Sequence, residues 1–264
     1  MLVFPQLQTG AAALFPLTKQ TNLRTVVNRM ADGRTVVYAD ADAGVREWEL
    51  RANGLTLAEW IAIDGLFQAA LGSLHTFTFL DPAGNLIAES ENFAATAWSS
   101  GPLIQLTAGI QDPFGSTRAT RVVNAGQAVQ ALGQTLPAPG NFQYAFSVWA
   151  RTTGGSGMTM LASAGAASAS RAVALTAQWR RVQWPVALGQ STDTVTFSVE
   201  LEPGATADLF GFQVEPQPGA SDYKRTGLEG GVFGKARFAS DELTARAQGT
   251  DVFDAVIRIV SAWS

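Results

Sequence analysis

The chain contains no cysteine and only one histidine, His75, in 264 residues. Without thiols there is no disulfide framework, no thiolate zinc site and no cysteine nucleophile. One imidazole cannot build a histidine metal cluster. Charge is also scarce: 15% of residues are charged, and 18 Lys plus Arg against 22 Asp plus Glu leave a net charge of −4. That balance offers no global positive field to hold nucleic acid or an anionic bilayer. No apolar run approaches the ~18 residues that cross a bilayer. The start, Met1-Leu2-Val3-Phe4-Pro5, lacks the basic flank and long apolar stretch of a secretion signal. The chain is therefore expected to be soluble and to stay in the cytoplasm that made it. There is no Walker phosphate loop. No Gly-x-Ser-x-Gly elbow surrounds a serine either, since Gly154-Gly155-Ser156-Gly157 misses the spacing.

Apolar residues, by contrast, make up 47% of the chain, which rules out a disordered polymer. At roughly 150 residues per domain, one large or two modest domains are expected. Charge is distributed unevenly. Residues 91–226 hold 16 charged side chains, eight of each sign, whereas the shorter flanks hold 24, with 14 acids against 10 bases. The pattern reads as a near-neutral domain carried inside another.

The first flank predicts β-hairpin, strand, helix, strand. Arg24 to Met30 and Arg34 to Ala39 are β-rich runs joined around Asp32-Gly33, a strong hairpin signal. In Val45 to Ala52, Trp48, Leu50 and Ala52 share one face, with Glu47, Glu49 and Arg51 on the other. Thr56 and Glu59 form a capping box, Leu57, Trp60, Ile61, Asp64, Phe67 and Leu71 recur at helical spacing, and Gly72 closes the helix. His75 to Leu80 alternates Phe77 and Phe79 with Thr76 and Thr78, as a half-buried strand does. Such a unit is thin. The last 38 residues supply strands at Val232 to Phe238 and Ala255 to Val260 that cannot fold alone, so they are expected to complete the first sheet. Asp81-Pro82-Ala83-Gly84-Asn85 reads as the exposed tip at which an insertion is tolerated.

The middle alternates in the manner of a sandwich. Tyr144, Phe146, Val148 and Ala150 oppose Ala145, Ser147, Trp149 and Arg151; Val195, Phe197, Val199 and Leu201 form a second inward set; Phe210, Phe212 and Val214 alternate with Gly211, Gln213 and Glu215. Turn signals at 154–157, Glu202-Pro203-Gly204 and Pro216-Gln217-Pro218-Gly219 separate these strands. The Ala/Ser-rich stretch from Ala162 to Ser170 is either a loop or a small-residue strand.

Two resemblances follow. The middle resembles the jelly-roll carbohydrate-binding modules of phage tail and spike proteins. The matching pieces are Ser90-Glu91-Asn92-Phe93 with Trp98, Asp112-Pro113-Phe114-Gly115-Ser116 with Ala119-Thr120-Arg121, the strand Tyr144 to Arg151, Trp179-Arg180-Arg181-Val182, and Leu209 to Glu215 closed by Gly219 to Thr226. Where the usual pattern ends Tyr-Ile-Pro-Thr, this chain has Tyr223-Lys224-Arg225-Thr226. The flanks look like the hub domain of a siphophage distal tail protein, on element order and the interruption rather than on a signature peptide. That resemblance implies a mainly β fold. It implies a split β-barrel with one helix formed by 1–88 and 228–264, with a β-sandwich inserted over 89–227. It further implies a virion protein forming a homohexameric ring at the tail tip, assembled in the host cytoplasm. The expected neighbours are the tail tube protein and baseplate hub proteins, with host-surface polysaccharide as adhesion target and neither membrane insertion nor specific nucleic-acid binding. No enzymatic activity is expected.

Candidate site residues divide by chemistry. Sugars offer C–H faces to aromatic rings and hydroxyls to planar polar groups, so outward-facing Trp149 with Arg151, and Gln213 with Glu215, form a candidate sugar platform. The alternative reading of Trp149 is cover by a loop or by the hub; Trp98, Trp179 and Trp184 read as core or edge packing. Arg24, Arg29, Arg46 and Arg51, with Glu47 and Glu49, are either a solvated face with cross-strand pairs or a ring interface. No cofactor is implied, although Glu91 and Asp208 are acids that a structural calcium ion in the sandwich would use. The rival readings are a glycan-degrading domain and another tail or neck fibre protein with the same module. For the first, Glu200 and Glu202 would lie about 7 Å apart on one face. Glu202 precedes Pro203-Gly204, however, and nothing nearby argues for desolvation, so the pair reads as surface charge. His75 is read as structural.

Overall fold

The computed structural model describes residues 1–155 and 157–262. In chain order the elements are β1 (Leu17–Arg29), β2 (Thr35–Thr56), α1 (Leu57–Ala69), β3 (Phe77–Leu80), β4 (Ser99–Ser100), β5 (Ile104–Ile110), β6 (Ala119–Asn124), β7 (Gln130–Leu136), β8 (Gln143–Arg151), β9 (Gly157–Ala164), β10 (Ala167–Ala174), β11 (Arg180–Ala187), β12 (Val195–Leu201), β13 (Thr206–Glu215), β14 (Val232–Phe238), β15 (Ala245–Ala247) and β16 (Val252–Ala262). The fold is mainly β with one helix. Two compact units emerge: Met1–Gln8, Ala12–Phe79 and Phe233–Ser264 form the first, and Thr9–Ala11 with Leu80–Val232 form the second.

In the first unit, six strands pair in the order β1-β2-β16-β14-β3, with β15 on β16. Period-two alternation decides the inward face: Trp48, Leu50 and Ala52 are buried on β2, and Ala255, Ile257 and Ile259 are buried on β16. The register sets Leu50 against Ile257 and Trp48 against Ile259. Thr56 caps α1, accepting from the Glu59 backbone, and the Glu59 carboxylate reaches back to the Thr56 backbone, so the capping box forms as expected. The buried helix face is Ile63 and Leu66, flanked by Trp60 stacked on Phe253 and by Phe67 edge-on to Phe238. Leu57, Ile61 and Leu71, which share its apolar spacing, face solvent.

Two expectations change here. The sheet is an open path and the barrel does not close. The outer edge of β3 is already taken by the N-terminal segment, with Val3 bridging Thr78 in parallel and the Phe4 and Thr78 amides donating to Thr78 O and Leu2 O. β3 is buried on both faces instead of half-buried. The β1–β2 hairpin turns at Gly33 (φ 83°) and is longer than the sheet needs. Past a bulge between Asn22 and Arg24, the ribbon is solvent-exposed on both faces.

The second unit is a sandwich of two five-stranded antiparallel sheets, β10-β9-β12-β7-β4 and β11-β8-β13-β6-β5. Between them, Tyr144 and Phe146 of β8 meet Phe197 of β12 edge-on at 5.3 and 5.6 Å. The Ala/Ser-rich stretch is a hairpin, β9 to β10, turning at Gly165. The turn signal at 154–157 includes Ser156, which lies outside the described residues; Gly155 beside it has φ 73°.

The segment Asp81 to Asn85 is not an exposed tip: Asp81 and Asn85 are buried. The Asn85 side chain donates to Phe212 O at 2.8 Å and Lys224 O at 3.1 Å, and it accepts from the amides of Ile87 and Val214. Those bonds hold 80–90 inside the second unit, so the borders fall at 79/80 and 232/233 rather than at 88/89 and 227/228. A second departure lies in β13. Phe210 pairs with Trp149 but Gln213 with Ser147, so one extra residue is accommodated between them, at Gly211 (φ 64°). Phe210 therefore shares the face of Trp149, while Phe212 points inward to Phe146, Phe93 and Trp98.

Candidate functional site

The outer face of the β11-β8-β13-β6-β5 sheet presents two of the four candidate sugar-binding residues, Trp149 and Arg151. Directly opposed residues of antiparallel strands share a face, and the register sets Arg121 and Arg151 on either side of Asp208, with Phe210 opposite Trp149 and Trp149 opposite Arg181. Asp208 is 1% exposed. Arg121 grips it with two donors, Nε to Oδ1 at 2.8 Å and Nη2 to Oδ2 at 3.2 Å, and Arg151 Nε donates to Oδ2 at 3.0 Å. The Asp208 partnership raises the pKa of Arg121. Arg151 then lies over the indole of Trp179 at 4.7 Å, a cation–π contact, while Trp179 Nε1 donates to Gln111 O.

The neighbouring turn presents Phe114, one of the exposed large apolar side chains of this unit. Buried Asp112 shapes that turn: its Oδ1 accepts from the Phe114 and Ser116 amides and its Oδ2 from Arg118 Nε. Burial pushes the Asp112 carboxyl up, but these amide bonds and the Arg118 charge outweigh it and hold the pKa below the usual aspartate value. Phe114 meets the edges of Trp149 and Phe210 at 5.7 and 5.9 Å. Trp149 is half-buried, as is Arg151. Arg181 Nη2 donates to Ser147 Oγ at 3.0 Å. Burial lowers the Arg181 pKa, against the opposing pull of Glu215 and Asp222.

Gln213 and Glu215 do not join this open surface. Both are fully buried beneath the segment 216–226. Gln213 donates to Glu215 Oε2 and to Asp222 O, and it accepts from the Lys224 amide; Glu215 accepts from Lys224 Nζ at 2.8 Å and from the Ser221 hydroxyl and amide. They are structural pins, because the returning chain satisfies the polar groups that a sugar would otherwise meet. Trp149 and Arg151 stay on the open half. Of their neighbours, Phe114 and Arg121 were not named as site residues from the sequence, Trp179 was read as packing and Asp208 as a calcium acid. One sequence signal pointed to Phe114: Asp112-Pro113-Phe114-Gly115-Ser116 has the form of a tight turn.

The two acids named for calcium do not suit it. Glu91 is held by Arg118 and Arg225, and Asp208 by Arg121 and Arg151. Carboxylates already neutralised by pairs of guanidinium groups are poor cation ligands, and among the described residues no three acids or imidazoles converge.

In the first unit, the interface candidates separate. Arg24 and Arg29 are exposed on the free ribbon, Arg24 being 3.6 Å from Asp40. Arg46 lies over the Phe233 ring, and Glu47 accepts from Asn22. Glu49 is shared by Arg51 and Arg258, which hold its pKa down, at the rim of an open groove of about 730 Å³. Glu200 and Glu202 line a separate groove of about 580 Å³ with Met158 and Val173. His75 is exposed, its amide donating to Ala70 O.

No known protein-family profile matches the chain, and no curated protein matches it. Among solved structures, the enzymatically active domain of Bacteriophage CBA120 tailspike protein 4 aligns at TM-score 0.42 and 11% identity, over 52% of this chain and 22% of that one. The C-terminal family 22 carbohydrate-binding module of Clostridium thermocellum Xyn10B aligns at 0.41 and 14%, over 53% of this chain and 99% of the module. TmCBM61, solved with β-1,4-galactotriose, aligns at 0.38 and 14%, over 49% and 97%. The chain spans about a fifth of the tailspike chain. At these scores and identities, what those proteins bind or cleave is said of them alone.

Proposed function

We propose that this chain is a non-enzymatic structural protein of a virion, a ring-forming subunit at the tip of a siphophage tail, whose sandwich adheres to host-surface glycans. The observation that carries the adhesion half is the open aromatic–guanidinium face: Phe114 and Trp149 meeting edge to face, beside Arg151 stacked on Trp179. Rings supply a surface for sugar C–H groups, and fixed guanidinium donors address hydroxyls in a defined direction. Weak sites of this kind gain avidity when several copies engage one surface.

The ring half is supported by the free ribbon. Leu23, Val27, Met30, Val36, Val37 and Tyr38 are all exposed on it, and a two-stranded ribbon standing alone is marginal in water. A second copy that covered it would bury this apolar surface. The proposed partners are five further copies, the tail tube protein and baseplate hub proteins, and the proposed location is the virion.

Native mass spectrometry of the purified protein, followed by a glycan array, tests both halves. A hexamer and array signals abolished by Trp149→Ala are expected. A monomer overturns the ring, and a trimer favours a fibre protein; an array with no signal overturns adhesion.

A further inference from the structure

Across the outer face of the β11-β8-β13-β6-β5 sheet, most acids are hidden and the bases that hold them are not. The side chains of Asp112 and Glu215 are 0% exposed, that of Asp208 1% and that of Glu91 6%. Their partners keep part of their surface in water: Arg118 and Arg121 37%, Arg151 22%, Lys224 34% and Arg225 67%. Asp222 is the exposed acid nearby. Where two guanidinium groups share one carboxylate, as at Asp208, one positive charge is left over. A molecule approaching this face therefore meets cationic ends, although the residues 91–226 are neutral in sum.

Two donors beneath that surface have no acceptor. Trp149 Nε1 and Arg181 Nε are both buried without a hydrogen-bond partner, and the two residues stand directly opposite each other on β8 and β11. Buried donors left unpaired are costly, and the acceptor best matched to a guanidinium and an indole N–H is an anionic oxygen.

We infer that the face selects glycans carrying an anionic substituent, carboxylate or sulfate, with the aromatic rings holding the sugar and the Arg121, Arg151 and Arg181 group holding the charge. The inference rests on the adhesion reading and narrows it. A nucleic acid is the less suited polyanion: the whole chain carries −4, which opposes a long uniform polyanion, and the exposed Phe114 matches a sugar face.

The test is binding of the full chain to polygalacturonate, dextran sulfate, neutral dextran, neutral xylan and duplex DNA by biolayer interferometry. At about 50 mM salt, one or both anionic glycans should bind about tenfold more tightly than the neutral ones, as one added charge-assisted contact implies. The advantage should shrink several-fold at about 500 mM salt, where exposed charges are screened. Which of the two anionic glycans is retained distinguishes carboxylate from sulfate recognition. Arg151→Gln and, separately, Arg181→Gln should each weaken binding of the anionic glycans more than that of the neutral ones, so that most of the anionic preference is lost. If either variant unfolds, the salt series on the intact chain decides. Equal binding of neutral and anionic glycans overturns the inference and leaves adhesion standing. Binding of no glycan overturns both, and DNA retained as tightly as the anionic glycans overturns selectivity for a sugar.

Discussion

The ring of Tyr223 packs directly on Gly211: a Cβ added at the glycine would sit 3.0 Å from Tyr223 Cε2 and 3.1 Å from Cζ. The same glycine carries the positive φ of the β13 bulge. Tyr223 in turn bonds Ser90 Oγ at 2.8 Å and donates to Glu91 Oε1, and burial raises its phenol pKa. Gly211→Ala should therefore combine backbone strain with a ring clash and destabilise the second unit by about 2–4 kcal/mol. Thermal unfolding followed by tryptophan fluorescence reads it; a change under about 0.5 kcal/mol would mean that the bulge relaxes freely.

Asn85 uses both ends of its amide inside the sandwich unit. Asn85→Ala leaves two carbonyls and two amides without these partners, and a loss of about 3 kcal/mol or more is expected. Asn85→Asp keeps the shape but sets a carboxylate against two carbonyl oxygens, and should be no better. Urea midpoints of the three proteins at one pH compare them directly.

Glu215 gives a pH signature. Burial pushes its carboxyl up, but Lys224, Ser221 and Gln213 outweigh that and hold the pKa below the usual glutamate value. A carboxyl depressed in the folded state stabilises fully above its unfolded pKa of about 4.3, and that contribution fades as pH falls through the lower folded value. Lys224→Met removes the cationic partner of the buried Glu215 carboxylate and should cost about 3 kcal/mol at pH 7. Because the carboxyl then protonates more readily, the gap to wild type should narrow between about pH 5 and pH 3. Urea midpoints taken across that range would show a constant gap if Lys224 contributed packing alone.

On the free ribbon, Val27 and Val37 stand directly opposite each other. Val27→Lys with Val37→Glu keeps a favourable cross-strand pair and removes apolar surface. The expected outcome is a drop in assembled mass by native mass spectrometry with thermal unfolding shifted by less than about 3 °C. An unchanged assembly would show that the ribbon is not the contact between copies.

Much of the fold was legible because it depends on local periodicity. Trp48, Leu50 and Ala52, the Thr56–Glu59 capping box, and Ala255, Ile257 and Ile259 all occupy the faces that their spacing predicts. The helix was half legible. Its spacing picked out Ile61 and did not name Ile63, and only the sheet beneath it decided that Ile63 is buried while Ile61 faces solvent. Asp81 to Asn85 has turn chemistry, but turn chemistry describes a backbone bend and not whether the bend lies at the surface. The alternation of β13 failed at Gly211, where one extra residue moves Phe210 to the outer face.

The candidate site divides along the same line. The outward direction of Trp149 and Arg151 followed from strand alternation alone. That Gln213 and Glu215 are sealed under 216–226, while Arg121, Asp208, Phe114 and Trp179 surround Arg151 and Trp149, was settled by strand order and a returning loop. By itself the sequence determined the β character, the helix cap and which strand faces are apolar, because each depends on neighbours a few residues apart. Only the tertiary structure decided which polar residues stay in water, because that depends on segments up to a hundred residues distant competing to cover the same face.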